Sequence, residues 1–88
     1  GIPFRIRNRA ARLLGDDPDE RLSIYRLFTD VYGLRSTAVH EGRVPGEIRG
    51  RQPRTLIDEG CEQLARAIQK VVEHQIYRPQ DWQRVTLG

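Results

Sequence analysis

The chain has 88 residues, a mean hydropathy of −0.64 and 38% hydrophobic residues. These values predict one domain and exclude a membrane-spanning segment, which needs about 20 consecutive, mainly apolar residues. The formal net charge is +3, and Lys70 is the one lysine among 15 basic residues. Arginine, whose planar fork of donors suits phosphate, therefore dominates the positive charge.

The single cysteine, Cys61, excludes an internal disulfide and a cysteine-based zinc site. The first residues lack the basic, apolar and small segments of a signal peptide, so we expect a cytoplasmic protein. Since the sequence has no methionine, we expect Gly1 to be a processed end and the chain to be one domain of a longer protein. A domain this short buries little surface, so a partner chain would stabilise it.

The first two predicted helices have well-defined ends. The first covers residues 6–14, and Gly15 is its C-terminal stop. The second starts at the sequence DPDE, because Asp17 can cap the helix and Pro18 suits the first helical position. We expect this helix to continue to about Glu41.

The second helix carries an apolar stripe at steps of three and four residues, which is the helical period. Arg35 falls on the same stripe, where a buried charge is costly unless it is paired. We therefore expect Arg35 to meet a carboxylate, a wet interface or a ligand. The stripe consists of Leu22, Tyr25, Phe28, Val31, Tyr32 and Val39.

A flexible basic loop rich in glycine and proline is predicted over residues 42–54. Thr55, with Asp58 three positions on, predicts the N-terminal cap of a third helix that ends near Tyr77. A short fourth helix should begin at Pro79. The apolar stripe of the third helix comprises Ile57, Cys61, Leu64, Ile68, Val71, Val72 and Ile76. The residues of the fourth helix expected to cover one end of the bundle are Trp82 and Val85.

The predicted fold is an all-α bundle of three long or medium helices and a short C-terminal helix. The second and third helices should pack antiparallel, because both carry long apolar stripes and a loop joins them. Two long amphipathic helices in a short chain also leave apolar surface uncovered. We therefore expect the chain to self-associate.

The end of the second helix carries the sequence YGLRSTAVHEG, in which Arg35 and His40 lie five positions apart. Arginine binds phosphate, and histidine exchanges protons near neutral pH. Together with the upstream RAARLLG turn and the acidic-proline helix start, this sequence resembles the HEPN superfamily. The stretch from Arg35 to His40 is similar to the Arg-Ser-x-x-Val-His motif of its Apea-like branch, and the resemblance covers the first half of the chain.

The resemblance implies a HEPN-like bundle that forms a homodimer, binds RNA and cleaves it without a metal or other cofactor. The arginines and histidines of two protomers would line one cleft. Arg35 would stabilise the charge that develops on the phosphorane, and His40 would act as general acid or base. Catalytic members often carry Asn, Asp or His after the arginine, whereas this chain has Ser36, a weaker orienting group.

Helical geometry constrains how one chain can use these side chains. Five positions rotate by about 500°, so Arg35 and His40 point about 140° apart on a regular helix. Tyr32, Ser36 and His40 lie at four-residue steps and share a face, so either hydroxyl could orient the imidazole. A local unwinding of the helix end, or a two-fold dimer, would complete the site.

Four arginines of the predicted loop, Arg43, Arg49, Arg51 and Arg54, are candidates for binding the RNA backbone. A solvated loop without a ligand is the alternative for these residues. For the whole domain, the alternative is a non-catalytic dimerisation or interaction module of a defence or toxin–antitoxin type protein, which would bind a protein partner.

Three further residues have ordinary structural explanations. We expect His74 to be a partly exposed helix residue and Cys61 to be a small core residue. Trp82 is expected to pack in the core rather than to stack on a base.

Overall fold

The computed structural model describes residues 4–87, except for the side chain of Phe4. It contains four helices, α1 (Phe4–Leu14), α2 (Pro18–Glu41), α3 (Pro53–His74) and α4 (Pro79–Leu87). The only strand-like pairing in the described residues is an isolated β-bridge, so the predicted all-α bundle is confirmed. Within the same residues, no helix is long and apolar enough to cross a membrane.

The predicted ends of α2 are confirmed. The Asp17 carboxylate accepts a hydrogen bond from the backbone N–H of Glu20 at 2.8 Å, and Pro18 occupies the first helical position. Gly42 follows the helix with a φ of 64°, and its N–H donates to the Ala38 carbonyl at 3.2 Å. Glycine adopts this left-handed conformation without a steric penalty, which explains why the helix ends there.

The predicted ends of α3 are wrong. Pro53 is the first residue of α3, and Gln52 is an N-cap without a side-chain hydrogen bond, so Thr55 lies inside the helix and the loop ends at residue 52. Proline favours the earlier start, because its fixed φ suits the first position and its missing N–H would be unpaired there anyway. The helix ends at His74, since Gln75 adopts a left-handed φ of 54°.

The buried side of α2 also differs from the prediction. Leu22 and Val39 are 46% and 62% exposed, and Arg35 is exposed as well. Apolar side chains surround much of α2, so periodicity alone does not define the side that faces the core. The buried residues of α2 are Ile24, Leu27, Asp30 and Leu34.

The predicted antiparallel packing of α2 and α3 is confirmed by the order of their contacts. Ile57, near the start of α3, lines the same depression as Ala38, near the end of α2. One turn further along α3, a β-carbon at Gly60 would come within 3.1 Å of Val31 Cγ2, so the two helices are close at this point. Later residues of α3 lie beside the first turns of α2.

The core is small and centres on the contact between α1 and α2. Ala11 and Leu14 of α1 pack with Ile24 of α2. α1 also contacts α3, and α4 packs against α1, where the Arg9 guanidinium lies 5.2 Å from the Trp82 ring centroid. The buried apolar residues are Ala11, Leu14, Ile24, Leu27, Leu34, Leu56 and Ile76.

The loop between α2 and α3 contains a tight turn that is anchored to α2. Ile48 and Arg51 exchange backbone hydrogen bonds of 2.9 and 3.0 Å. The two residues between them, Arg49 and Gly50, have φ of 52° and 77°, which is the pattern of a type I′ turn. Arg49 Nε donates to the buried Asp30 carboxylate at 2.8 Å, so an ion pair fixes this turn against α2.

Arg49→Ala is expected to lower the free energy of unfolding by about 1–2 kcal/mol. The Asp30 side chain is 9% exposed, so the substitution leaves a carboxylate largely out of water, while the 65% exposure of Arg49 limits the loss. The matched control is Arg43→Ala, because its partner Glu41 is 53% exposed and such surface pairs contribute little. Denaturant unfolding measures both variants, and equal stabilities of all three proteins would contradict the prediction.

Candidate nucleic-acid site at the end of α2

Arg35 and His40 lie on a regular stretch of helix. α2 continues without interruption to Glu41, so the local unwinding that would bring the two side chains together is absent. Arg35 is exposed, and its guanidinium lies 5.7 Å from the centroid of the Tyr32 ring, within range of a cation–π interaction. One chain therefore presents the arginine and the histidine in different directions.

Tyr32, Ser36 and His40 follow one another along one face of α2, as predicted. Tyr32 and Ser36 are half-buried, whereas His40 is exposed in the last turn. Among the described residues, no hydrogen bond joins the His40 imidazole to either hydroxyl. The orienting role of Ser36 and Tyr32 therefore stays a prediction.

Most of the arginines proposed to bind the RNA backbone have acidic neighbours. Arg43 lies 3.6 Å from Glu41, Arg51 binds Glu59 of α3, and Arg49 binds Asp30. Arg54 lies in the first turn of α3 and forms no ion pair within the described part of the chain. Asp30 lies ten positions before His40 on α2, and Arg51 lines a depression with Glu20 and Ser23 in the first turns of α2. The loop therefore carries Arg49 and Arg51 away from His40 and pairs their charges.

Arg35 borders an apolar depression of about 270 Å³ at the junction of α2, α3 and the loop. The depression is open to solvent, so the guanidinium sits where an apolar surface meets water. A charge beside such a surface interacts more strongly once a partner excludes water from it. The other residues that line the depression are Val31, Leu34, Ala38, Val44 and Ile57.

Two more depressions, of about 160 and 350 Å³, follow this one along α3. The first shares Val31 and Ile57 with the depression beside Arg35. The second shares Phe28 and Leu64 with the first. Together they form one apolar groove that runs from Arg35 to Trp82. Its floor is the α3 face, which consists of Ile57, Cys61, Leu64, Ile68 and Val72.

The α3 face was predicted as part of an apolar stripe with Cys61 in the core, and the core position of Cys61 is wrong for a single chain. Ile57, Leu64, Ile68 and Val72 are 48%, 53%, 57% and 60% exposed, and Cys61 is exposed too. α1 and α2 instead cover the neighbouring side of α3, where Leu56 and Gly60 are buried. Trp82, by contrast, is half-buried beneath Arg9, and His74 is exposed as expected.

The overall dimensions agree with an uncovered surface. The accessible surface is 6206 Å², about 900 Å² more than expected for a compact monomer of 10.2 kDa. The radius of gyration is 13.9 Å, against about 12 Å for a compact domain of this length.

The sequence identified the apolar residues of the α3 face and predicted that some apolar surface stays uncovered, but it did not show which face that is. Their spacing marks an apolar face, yet it does not reveal that no other element of the chain covers that face. Within residues 4–87, no group of three or more His, Cys, Asp or Glu side chains is arranged to hold a metal ion.

No known protein family, curated protein or solved structure gives a significant match to this chain. The resemblance to the HEPN superfamily therefore stays a prediction that rests on the motif residues.

Proposed function

We propose that two copies of the chain associate through the α3 face and that the dimer binds RNA, with Arg35 on the phosphate backbone and His40 as the proton-transfer group. The observation that carries this proposal is the position of Arg35 at the end of an apolar groove that the chain itself leaves uncovered. A second copy on the groove would place Arg35 at the rim of the interface.

The dimer supplies the geometry that one helix lacks. Arg35 and His40 diverge by about 140° on a regular helix, so one α2 cannot direct both at one phosphate. In a two-fold arrangement, the arginine of one copy and the histidine of the other can approach the same phosphodiester. The motif resemblance supports this arrangement, because it implies a composite site between two protomers.

The chemistry follows from the two side chains. His40 would accept the proton of a ribose 2′-hydroxyl as its oxygen attacks the adjacent phosphorus. The bond from phosphorus to the 5′-oxygen breaks, and that oxygen takes up a proton from solvent water. Arg35 would stabilise the extra negative charge on the phosphorane, and its position over Tyr32 orients the guanidinium before RNA binds.

Arg35→Ala is expected to weaken binding to single-stranded RNA by about 10- to 100-fold, because a charge-assisted contact to phosphate is lost. Fluorescence anisotropy at low ionic strength measures the affinity, and repeating it at several salt concentrations gives the number of phosphate contacts. Arg26→Ala is the control, since Arg26 is also an exposed arginine on α2 but does not border the groove.

Two results would contradict the RNA-binding proposal. One is an absence of RNA binding by the wild-type protein at low salt. The other is an equal loss of affinity in the Arg26 and Arg35 variants, which would show that net charge alone determines binding.

A non-catalytic dimerisation or interaction module is the second candidate, and two observations favour it. Ser36 follows the arginine where catalytic HEPN members often carry a stronger orienting residue. The groove is also an extended, uncovered apolar surface, and it would bind a protein partner equally well. A dimer that neither binds nor cleaves RNA would support this candidate.

A further inference from the structure

A second feature lies at the end of the bundle away from His40. The last turns of α1 and α3 meet α4 around a cleft of about 350 Å³. We call it the basic cleft, because Arg12, Lys70, His74 and Arg84 line it together with a single carboxylate, Asp81. Four potential cations around one carboxylate are an unusual concentration for a chain with a net charge of +3.

The cations of the basic cleft have unused donors. Lys70 Nζ donates to the Leu13 carbonyl at 3.3 Å, which leaves two of its three protons available. Arg12 and Arg84 are exposed and form no ion pair within the described residues. These three residues come from three different helices, so their charges converge only in the folded chain.

The Asp81 carboxylate does not neutralise these cations, because it is already bound to backbone N–H groups at the start of α4 and to the Arg78 side chain. Its carboxylate accepts hydrogen bonds from the Arg78 and Tyr77 backbone N–H groups at 3.0 and 3.3 Å and from Arg78 Nε at 3.3 Å. The hydrogen bonds from the Arg78 side chain and backbone hold the pKa of Asp81 below its ordinary value. The carboxylate therefore stays ionised at neutral pH without help from the cleft.

The remaining wall of the basic cleft is apolar and consists of Leu13, Ile76 and Val85. A volume of about 350 Å³ lies at the lower end of the range of small-molecule sites. An apolar wall beside several cations suits a ligand with one anionic end and one uncharged, weakly polar part.

The basic cleft is remote from Arg35 and His40. Arg21, in the first turns of α2, bonds the Gly15 carbonyl just beyond α1, which places the start of α2 at this end of the bundle. Nineteen residues of helix separate Arg21 from His40, which corresponds to about 28 Å. A single phosphate cannot contact both places.

We propose that the basic cleft binds the phosphate group of a phosphomonoester whose uncharged part packs against Leu13, Ile76 and Val85. Helix dipoles favour a cation in each last turn and account for Arg12, His74 and Arg84 one by one. They do not require that these turns converge on one cleft with Lys70. This site goes beyond the proposed RNA function. It uses neither Arg35 nor His40, although Leu13 lines both the basic cleft and the far end of the groove.

Phenyl phosphate is the probe, titrated into the full chain at neutral pH and low salt by isothermal calorimetry. We expect saturable binding at millimolar concentration, weaker binding of inorganic phosphate, and no binding of phenol. Arg84→Gln and Lys70→Gln should each weaken binding by about tenfold, as expected for one charge-assisted contact. Arg26→Gln is the control and should bind like the wild type, because Arg26 lies outside the cleft.

The Lys70 variant loses its hydrogen bond to the Leu13 carbonyl, so circular dichroism must verify that it is folded. Arg84 forms no ion pair within the described residues, so the Arg84 variant tests the cleft even if the Lys70 variant unfolds. The proposal is overturned if wild type does not bind phenyl phosphate, if phenol binds as well, or if the Arg26 control loses as much affinity. Arg35→Ala should leave phenyl phosphate binding unchanged, so failure of the RNA proposal is separable from failure of this one.

The source of the phosphate is distinguished by competition. Displacement of phenyl phosphate by 5′-phosphorylated RNA, but not by the same RNA with a 5′-hydroxyl, would identify a strand end as the ligand. Displacement by neither would identify a free phosphorylated small molecule.

Discussion

Leu64→Glu should convert the proposed dimer into a monomer, weakening association by at least about 100-fold. Leu64 lies in the middle of the α3 face and borders two of the three depressions of the groove. In the dimer, the substitution would bury a carboxylate among apolar side chains. In the single chain, Leu64 is 53% exposed, so the new carboxylate stays in water and the fold should persist.

Sedimentation equilibrium measures the association constant, and circular dichroism verifies that the variant remains helical. Leu22→Glu is the matched control, because Leu22 is 46% exposed on α2 and lies outside the groove. We expect the control to remain dimeric. A monomeric wild-type protein, or equal dissociation of both variants, would show that the α3 face does not mediate self-association and would remove the basis of a composite site.

His40→Ala should lower the rate of RNA cleavage by about 10²- to 10⁴-fold while leaving most of the binding affinity. A proton-transfer group acts mainly in the transition state, whereas Arg35 contacts the phosphate in both the ground state and the transition state. The product expected from attack by a 2′-hydroxyl is a 2′,3′-cyclic phosphate. By the motif resemblance, cleavage should persist in excess EDTA.

The chain offers a matched control for this prediction in its second histidine. His74 is exposed in the last turn of α3, as His40 is in the last turn of α2. With an RNA that carries a 5′-hydroxyl, which the basic cleft is not expected to bind, we expect His74→Ala to cleave at the wild-type rate. If both histidine variants lose activity equally, general loss of charge or stability is responsible. If wild type is inactive and the Arg35 and His40 variants are unstable, both residues are structural.

The proposed RNA site needs two copies of the chain, whereas the proposed phosphate site in the basic cleft needs only one. Monomerisation by Leu64→Glu should abolish composite catalysis together with the dimer, whereas phosphate binding in the basic cleft should continue in the monomer. The cleft is built within one chain, from α1, α3 and α4. Comparing the two activities in the Leu64 variant therefore separates a property of the dimer from a property of the fold.

The sequence by itself determined the number of helices and several of their ends. Asp17 and Gly42 act on backbone groups three and four residues away, so the relevant partners lie within the local sequence. Proline adds the same kind of local information through its fixed φ, which marks the starts of α2, α3 and α4. The Arg35 and His40 positions on α2 followed from this local information as well.

Only the tertiary structure decided which faces are covered and which charges are paired. The α3 face looks like a core stripe in the sequence, but α1 and α2 pack on the adjacent side of α3 and leave it open. Arg49 looks like a free loop arginine until the turn carries it to Asp30, nineteen positions away. Such contacts depend on residues that are distant in the chain. Helical periodicity carries no information about which distant element packs against a given face of a helix.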